Sequence, residues 1–156
     1  MKSGRQPKRR SGSGSLKKGK RTAVLDTNLL VRYLTEDEPA KAEAVERLLK
    51  QAAQGDIRLV IPAVVVAELV WVLESFYKMA EEPIADLVDA LLQTPGLKVQ
   101  EERLIRRVVA VYRENKVDFI DAWIMAFARE RSVRLIYTYD KKHFQTGEDF
   151  EVRQPD

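Results

Sequence analysis

The sequence predicts an α/β fold in which helices cover both faces of a mostly parallel sheet. Two observations support this prediction. Short, continuous apolar runs alternate with segments of helical periodicity along the chain, and such strands are typical of parallel sheets buried on both sides. The chain has 156 residues, of which 45% are hydrophobic and 33% charged, which suffices for one domain with a substantial core.

The chain divides at about residue 21 into a basic tail and an acidic remainder. Residues 1–21 carry nine Lys or Arg and no acid, whereas the other 135 residues carry 18 basic and 24 acidic side chains. The net charge of +3 therefore hides a charge of −6 on residues 22–156. Because the tail is rich in Ser and Gly and almost lacks aliphatic residues, we expect residues 1–21 to be a disordered basic tail and residues 22–156 to be the domain.

The elements predicted after the tail alternate between strand and helix. We expect strands at residues 23–25, 57–61, 97–99, 134–139 and 150–152. We expect helices at residues 27–34, 39–53, 62–78, 83–92, 101–115 and 118–131. Their ends carry familiar signals, since Thr27 or Asn28 would cap the first helix, Gly55 would end the second and Pro62 would open the third.

Composition excludes several classes of chemistry. The chain has no cysteine and one histidine, which rules out a disulfide scaffold, a zinc finger, a thiol nucleophile and a pair of histidines acting as acid and base. The lack of cysteine suits a reducing compartment, so we expect the protein to be cytoplasmic, and no apolar run is long enough for a membrane span. Gly-rich phosphate-binding loops are also missing.

Several carboxylates lie where the surrounding sequence is apolar. Asp26 and Asp140 each follow a predicted strand, at the carboxyl edge where parallel sheets bind their ligands. Glu68 is the only charge in residues 61–73, IPAVVVAELVWVL. A helix this apolar is expected to be buried nearly all round, so Glu68 would need a cation, a proton or a buried partner such as Arg32.

A second pair of acids opens a later helix. Asp121 precedes the apolar run AWIMAFA, and Asp118 lies one turn earlier on the same face. Each acid also has an ordinary structural explanation: Asp118 as an N-cap, Asp121 as a first-turn acid that favours the helix dipole, and the strand-end acids as turn residues.

Taken together, the four segments that carry these acids would converge on one edge of the sheet. Crowded carboxylates repel one another unless a multivalent cation lies among them, and oxygen ligands without Cys favour Mg²⁺ or Mn²⁺ over Zn²⁺. Such ions most often serve phosphate chemistry. A phosphodiester is the substrate that fits best, because the position two residues after Asp26, where an aspartyl phosphotransferase usually has a second Asp, is Asn28.

The acids and their neighbours also resemble a known family. The motifs that carry the resemblance to PIN-domain nucleases are Asp26-Thr27-Asn28 after the first strand, Glu68 on the helix after the second, Asp118-x-x-Asp121-Ala122 opening a later helix and Thr138-x-Asp140 after the next strand. The opening LDTNLLVRYLTEDEPAKAE is similar in particular to VapC-type toxins of bacterial toxin–antitoxin pairs. The likeness spans about residues 22–153.

This resemblance implies a three-layer α/β/α sandwich, endoribonuclease activity dependent on Mg²⁺ or Mn²⁺, inhibition by a cognate antitoxin, and a homodimer. Carried over by position, the metal-binding and catalytic acids are Asp26, Glu68 and Asp121, with Asp140 as a more variable fourth. The resemblance gives supporting roles to Thr27 or Asn28, which would position Asp26 or a water, and to Thr138, which would hydrogen-bond within the acidic cluster. Asp118 would lie nearby or serve only as a cap.

Other side chains have two interpretations each. Lys141 and Lys142 would contact the RNA backbone or belong to a solvated loop, and Arg32 would hold an acid or a phosphate. We interpret His143 as a loop residue and Trp71 as core packing rather than a stacking surface for RNA. Two alternatives to the nuclease remain: a catalytically silent PIN-like module that binds RNA or protein, and a structure-selective DNA nuclease.

Overall fold

The computed structural model of the protein describes residues 21–144 and 149–155. The predicted basic tail lies outside the described residues except for its last member, Arg21, which belongs to the first strand. The strands are β1 (Arg21–Val24), β2 (Ile57–Ile61), β3 (Leu97–Val99), β4 (Leu135–Tyr137) and β5 (Glu151–Arg153). The helices are α1 (Thr27–Thr35), α2 (Pro39–Gln54), α3 (Ala63–Ser75), α4 (Glu81–Gln93), α5 (Glu102–Asn115), α6 (Phe119–Glu130) and α7 (Lys141–Phe144).

The predicted order of strands and helices is confirmed, and the differences lie at the ends of elements. Asp26, not Thr27 or Asn28, is the N-cap of α1, because its carboxylate accepts the first backbone N–H of the helix. Pro62 is the N-cap residue of α3 rather than its first helical residue. The helix α7 was not predicted, since four residues are too few to show a helical period.

All strand pairs in the described residues are parallel. β2 lies between β1 and β3, with Leu59 opposite both Ala23 and Leu97. β4 and β5 form a second ladder, in which Ile136 pairs with Val152. No ladder joins β1 to β4 within the residues the structure describes, so the strands that lead to Asp26 and Asp140 belong to two separate sheets. The predicted α/β class with parallel strands is confirmed.

The central strand and the helices that pack on it form the core. Leu59 and Ile61 of β2 are fully buried, and α2 packs against both β2 and β3. The turn before β3 contacts α2 so closely that a Cβ on Gly96 would lie 2.3 Å from the carbonyl carbon of Ala52. Gly96 also has a φ of 83°, which other residues rarely adopt, so this position requires glycine.

Helix α3 is buried on one side only, which contradicts the expectation that it would be buried nearly all round. Its core side includes Val66 and Leu69, whereas Val64 and Trp71 are 72% and 62% exposed and Glu68 is exposed between them. These three residues are spaced i, i+4 and i+7, so they share one uncovered face. The interpretation of Trp71 as a core residue was therefore wrong, and Glu68 is not forced into a charge pair by burial.

Two side chains of α5 make polar contacts with neighbouring helices. The hydroxyl of Tyr112, which is buried, donates to Glu74 of α3 at 2.6 Å. Burial raises the pKa of Glu74 above its ordinary value, and the hydrogen bond from Tyr112 opposes part of that rise. Arg113 contacts three acids of α4 at 2.5–3.0 Å, namely Glu82, Asp86 and Asp89.

In the described part of the chain, none of the helices combines the length and apolar character that crossing a membrane requires.

Candidate active site

The first group of predicted site residues lies where β1 leads into α1. Asp26 caps this helix, and its Oδ1 accepts the backbone N–H of Thr27 at 2.9 Å. The side-chain amide of Asn28 donates to the other carboxylate oxygen, Oδ2, at 2.8 Å. The Asp26 carboxylate is therefore held by two neutral donors while the residue stays exposed. The predicted role of Asn28 in positioning Asp26 has a matching contact.

Thr27 connects this group to helix α3. The residue is only 5% exposed, and its hydroxyl donates to Oε2 of Glu68. The hydroxyl thus holds the carboxylate of α3 beside the start of α1, and the two helices pack on each other. Asp26 and Glu68 were predicted from separate motifs. They are connected here through Thr27, which follows Asp26 in the chain and contacts Glu68.

The second group lies at the start of α6 and on α7. Nδ1 of His143 is 2.7 Å from Oδ2 of Asp121 and 3.4 Å from Oδ2 of Asp140. The Asp121 side chain is 19% exposed, whereas that of Asp140 is 59% exposed. The backbone N–H of Asp140 donates to the hydroxyl of Thr138 at 3.0 Å. The supporting role predicted for Thr138 within the acidic cluster stays a prediction. His143 therefore bridges the two acids, and its interpretation as a loop residue was wrong.

Asp118 serves as a helix cap. Its Oδ1 accepts the backbone N–H of Ile120 at 2.8 Å, at the first turn of α6. One lone pair of this carboxylate is thus used to satisfy the helix terminus, as the ordinary explanation of this residue predicted. The contacts of Asp118 leave it outside both groups of acids.

The two groups supply the oxygen donors that Mg²⁺ or Mn²⁺ prefers. Glu68 of the first group and Asp121 of the second lie on helices α3 and α6, which pack together. However, no three His, Asp or Glu side chains among the described residues are close enough to hold a metal ion. The donor chemistry fits a divalent metal, whereas the side-chain positions form two pairs rather than one closed shell. The expected convergence of all four acids on one sheet edge is therefore not seen.

A cavity of about 410 Å³ opens beside the first group, between α1 and α3. Asp26, Asn28 and Glu68 line one part of it, and Phe76 and Tyr77, just after α3, line another. Both the acids and the aromatic rings therefore border the same space. Neither ring was singled out in the sequence, because both fell inside the helix predicted over residues 62–78.

The polar wall of this cavity consists of an ion pair and a tyrosine hydroxyl that donates to it. The guanidinium of Arg32 contacts Asp37 at 2.6 Å and Glu38 at 2.9 Å. The hydroxyl of Tyr77 donates to the same oxygen of Asp37 at 2.8 Å. This hydrogen bond, aided by the charge of Arg32, holds the pKa of Asp37 below its ordinary value against a smaller effect of burial. Of the two roles predicted for Arg32, the structure shows the one that holds acids, and its predicted partner Glu68 is not the acid it contacts.

Lys141 and Lys142 open α7 next to Asp140, and both are exposed. They lie in a helical turn rather than a loop, on the same element as His143. Their predicted contact with RNA phosphates remains a prediction.

Comparisons with known proteins agree with these motifs. The family model described as the PIN domain matches residues 23–149. The chain is also 26% identical over 124 residues to a protein named VapC ribonuclease from Aquifex aeolicus (strain VF5). The aligned segment covers 80% of this chain and 91% of that protein. Every predicted acid falls inside the matched segment. The resemblance to VapC-type PIN proteins is confirmed, and the chain belongs to the PIN-domain family.

Proposed function

We propose that this protein is an endoribonuclease that depends on Mg²⁺ or Mn²⁺ and acts as the toxin of a toxin–antitoxin pair. The observation that carries the proposal is the hydrogen bond from buried Thr27 to Glu68, which brings a second carboxylate beside Asp26 at the mouth of an open cavity. The similarity to a protein named VapC ribonuclease supports RNA as the substrate and hydrolysis as the reaction.

In this proposal the metal would be held by four acids, Asp26, Glu68, Asp121 and Asp140, and it would supply an acidified water and stabilise negative charge on the phosphate. Asn28 and Thr27 fix the first two carboxylates through the contacts described above. Thr138 fixes the backbone of Asp140. Lys141 and Lys142, beside Asp140, contact phosphates of the RNA on either side of the cut.

The test is cleavage of single-stranded RNA by the full chain in Mg²⁺, with EDTA as the metal-free arm. We expect cleavage by the wild type, loss of cleavage in EDTA and in Glu68→Gln, and recovery from EDTA with Mn²⁺ but not Zn²⁺. Glu74→Gln is the matched control, because it removes another carboxylate from the same helix and should cut like the wild type. Equal cleavage by Glu68→Gln, or by the wild type in EDTA, would contradict the proposal.

A cytoplasmic toxin should also act in a cell. Expression of the wild type alone in bacteria is expected to arrest growth, and Glu68→Gln is expected not to. The VapC name of the relative supports a cognate antitoxin as the protein partner that prevents this arrest. Arrest by both forms would favour the alternative of a catalytically silent binding module.

The uncovered apolar side chains support a homodimer. Ile120, Ile124 and Phe127 form an exposed stripe at i, i+4 and i+7 on α6, and α6 packs against α3, whose Val64 and Trp71 are also exposed. Exposed apolar surface of this kind is typical of a protein interface. We expect a dimer mass by light scattering, and Ile124→Glu should shift it to the monomer; a wild-type monomer at high protein concentration would contradict the dimer.

A further inference from the structure

We propose that the cavity between α1 and α3 binds one unpaired nucleotide of the RNA next to the scissile phosphate, with its base against Phe76 and its N–H groups facing Asp37. This inference rests on the proposed function, because it takes RNA as the ligand of the acids that share the cavity. In this inference Asp37 contacts the base, whereas the acids of the proposed active site act only on the RNA backbone.

The proposed position of the nucleotide follows from the acids that share its cavity. Asp26 and Glu68 line the same space as Phe76 and Asp37, so a strand with its phosphate at the acids has its neighbouring base in the cavity. The volume of about 410 Å³ lies in the range of small-ligand sites. An unpaired base is the part of an RNA strand that reaches into such a cleft, since bases in a duplex are stacked and paired.

The aromatic wall suits the face of a base. Phe76 is 76% exposed, and its ring contacts that of Tyr77 edge to face, with centroids 5.1 Å apart. Tyr77 in turn is held by its hydrogen bond to Asp37. Val31 and Val72 add apolar surface to the lining of the cavity. An exposed aromatic ring fixed by its neighbour is the kind of platform on which single-stranded nucleic acids stack.

The polar wall suits the edge of a base. Asp37 is a pure acceptor whose Oδ2 is fixed by Tyr77 and Arg32. These two donors use the lone pairs of Oδ2, so Oδ1 is the oxygen that faces the base. Guanine offers two adjacent donors, N1–H and N2–H, that can both reach this one oxygen, whereas adenine, cytosine and uracil offer fewer at that edge. Arg32 shares its charge between Asp37 and Glu38, so it orients the carboxylate rather than binding a phosphate. We therefore expect guanosine at this position of the substrate.

The first experiment measures binding without catalysis. Fluorescence anisotropy with a labelled single-stranded RNA that contains guanosine, in EDTA, compares the full-length wild type with Phe76→Ala and with Tyr137→Ala. Tyr137 is the matched control, because it is an exposed aromatic that does not line the cavity. Loss of the stack should weaken binding on the order of tenfold in Phe76→Ala. Equal binding by Phe76→Ala and the wild type, or equal weakening in both variants, would overturn the proposal.

The second experiment measures base preference at the cut. RNA with randomised sequence is digested in Mg²⁺, and the ends of the products are sequenced. We expect guanosine to be enriched next to the cut by the wild type and by Glu43→Gln, an exposed charge-removal control on α2. The enrichment should vanish in Asp37→Asn, because asparagine replaces one acceptor with a donor.

The outcomes separate this inference from the proposed function. Cleavage with no enrichment, or with enrichment unchanged in Asp37→Asn, overturns the base-reading site and leaves the nuclease intact. If no RNA is cut at all, the proposed function fails, and the anisotropy comparison in EDTA still decides whether the cavity binds a nucleotide. Thermal unfolding of each variant shows that it is folded, and Phe76→Leu, which keeps apolar volume without a ring, should bind as weakly as Phe76→Ala.

Discussion

The two pairs of acids are built in different ways. Asp26 and Glu68 are held by uncharged donors, the hydroxyl of Thr27 and the amide of Asn28, and Thr27 is buried at the start of α1. Asp121 and Asp140 are instead bridged by a histidine that is 44% exposed, on a helix of four residues. The first pair is thus anchored in the packed interface of α1 and α3, and the second depends on a side chain at the surface.

The difference lies in what each carboxylate contacts. A neutral hydroxyl or amide fixes a carboxylate through a hydrogen bond and leaves its negative charge for a cation. A histidine between two acids occupies the place that a cation would take and, when protonated, offsets their charge. We therefore expect the first pair to be preorganised and the second pair to rearrange when the metal binds.

The largest expected effect is the loss of an acid from either pair. Asp26→Asn and Asp121→Asn should each lower RNA cleavage by on the order of hundredfold or more, since each would remove a metal ligand. Asn remains a good N-cap, so Asp26→Asn should unfold at nearly the same temperature as the wild type. Cleavage rates in Mg²⁺ and thermal unfolding in EDTA check this. Undiminished cleavage by one of the two would show that only one pair takes part.

A smaller effect is expected when the bridge of the first pair is removed. Thr27→Val keeps the shape of the buried residue and deletes the hydroxyl that holds Glu68. We expect cleavage to fall roughly tenfold and the free energy of unfolding to change by about 1 kcal/mol. Thr27→Ser keeps the hydroxyl and is the control. If Thr27→Val and Thr27→Ser cleave RNA equally well, the hydroxyl does not position Glu68.

A weaker effect is expected when the bridge of the second pair is changed. In His143→Gln the amide still donates to Asp121, so cleavage at saturating Mg²⁺ should fall only a few-fold. His143→Ala removes the side chain that occupies the place of a cation between the two acids, so it should lower the Mg²⁺ concentration needed for half-maximal cleavage. The readout is a Mg²⁺ titration of the cleavage rate. An effect of His143→Ala as large as that of Asp121→Asn would contradict the distinction between the two pairs.

The smallest effect is expected at Glu74, the acid of α3 outside both pairs. Its pKa is raised by burial, so the folded protein holds this proton more tightly than the unfolded chain. The stability that this proton gives is fully present below the unfolded value of 4.5 and is lost as the pH rises through the folded value. Above the folded pKa the half-buried Glu74 is ionised, and this charge costs stability.

Glu74→Gln removes this cost and keeps an acceptor for the hydroxyl of Tyr112. Denaturant unfolding should show a small gain in stability for the variant at pH 7, and the gain should disappear below pH 4.5. A gain that is the same at both pH values would mean that ionisation of Glu74 is not its source.

Much of this arrangement could be predicted from the sequence, because caps and strand ends are local signals. The strand before Asp26, the cap at Asp118 and the order of the elements all follow from apolar runs and their flanking residues. The burial of α3 could not be predicted. Apolar residues on every face of a helix do not reveal which face is covered, and the structure leaves Val64 and Trp71 exposed.

The bridge made by His143 also escaped prediction. It lies one turn after Asp140, a spacing that was visible, but its contact with Asp121 joins residues 22 positions apart on different helices. Such a contact is set by how α7 packs on α6, which no local pattern specifies. The acids themselves were identified from their apolar surroundings and from family motifs, and their grouping into two pairs became visible only in the structure.

Mn²⁺ binding tests whether both pairs of acids together form one metal site. The electron paramagnetic resonance signal of unbound Mn²⁺ is measured while the full chain is titrated, for the wild type, Asp26→Asn, Asp121→Asn and the control Glu43→Gln. We expect the wild type and Glu43→Gln to bind Mn²⁺ alike and each Asp variant to lose most of this binding. Binding that survives in Asp26→Asn or in Asp121→Asn would contradict a single site shared by the two pairs.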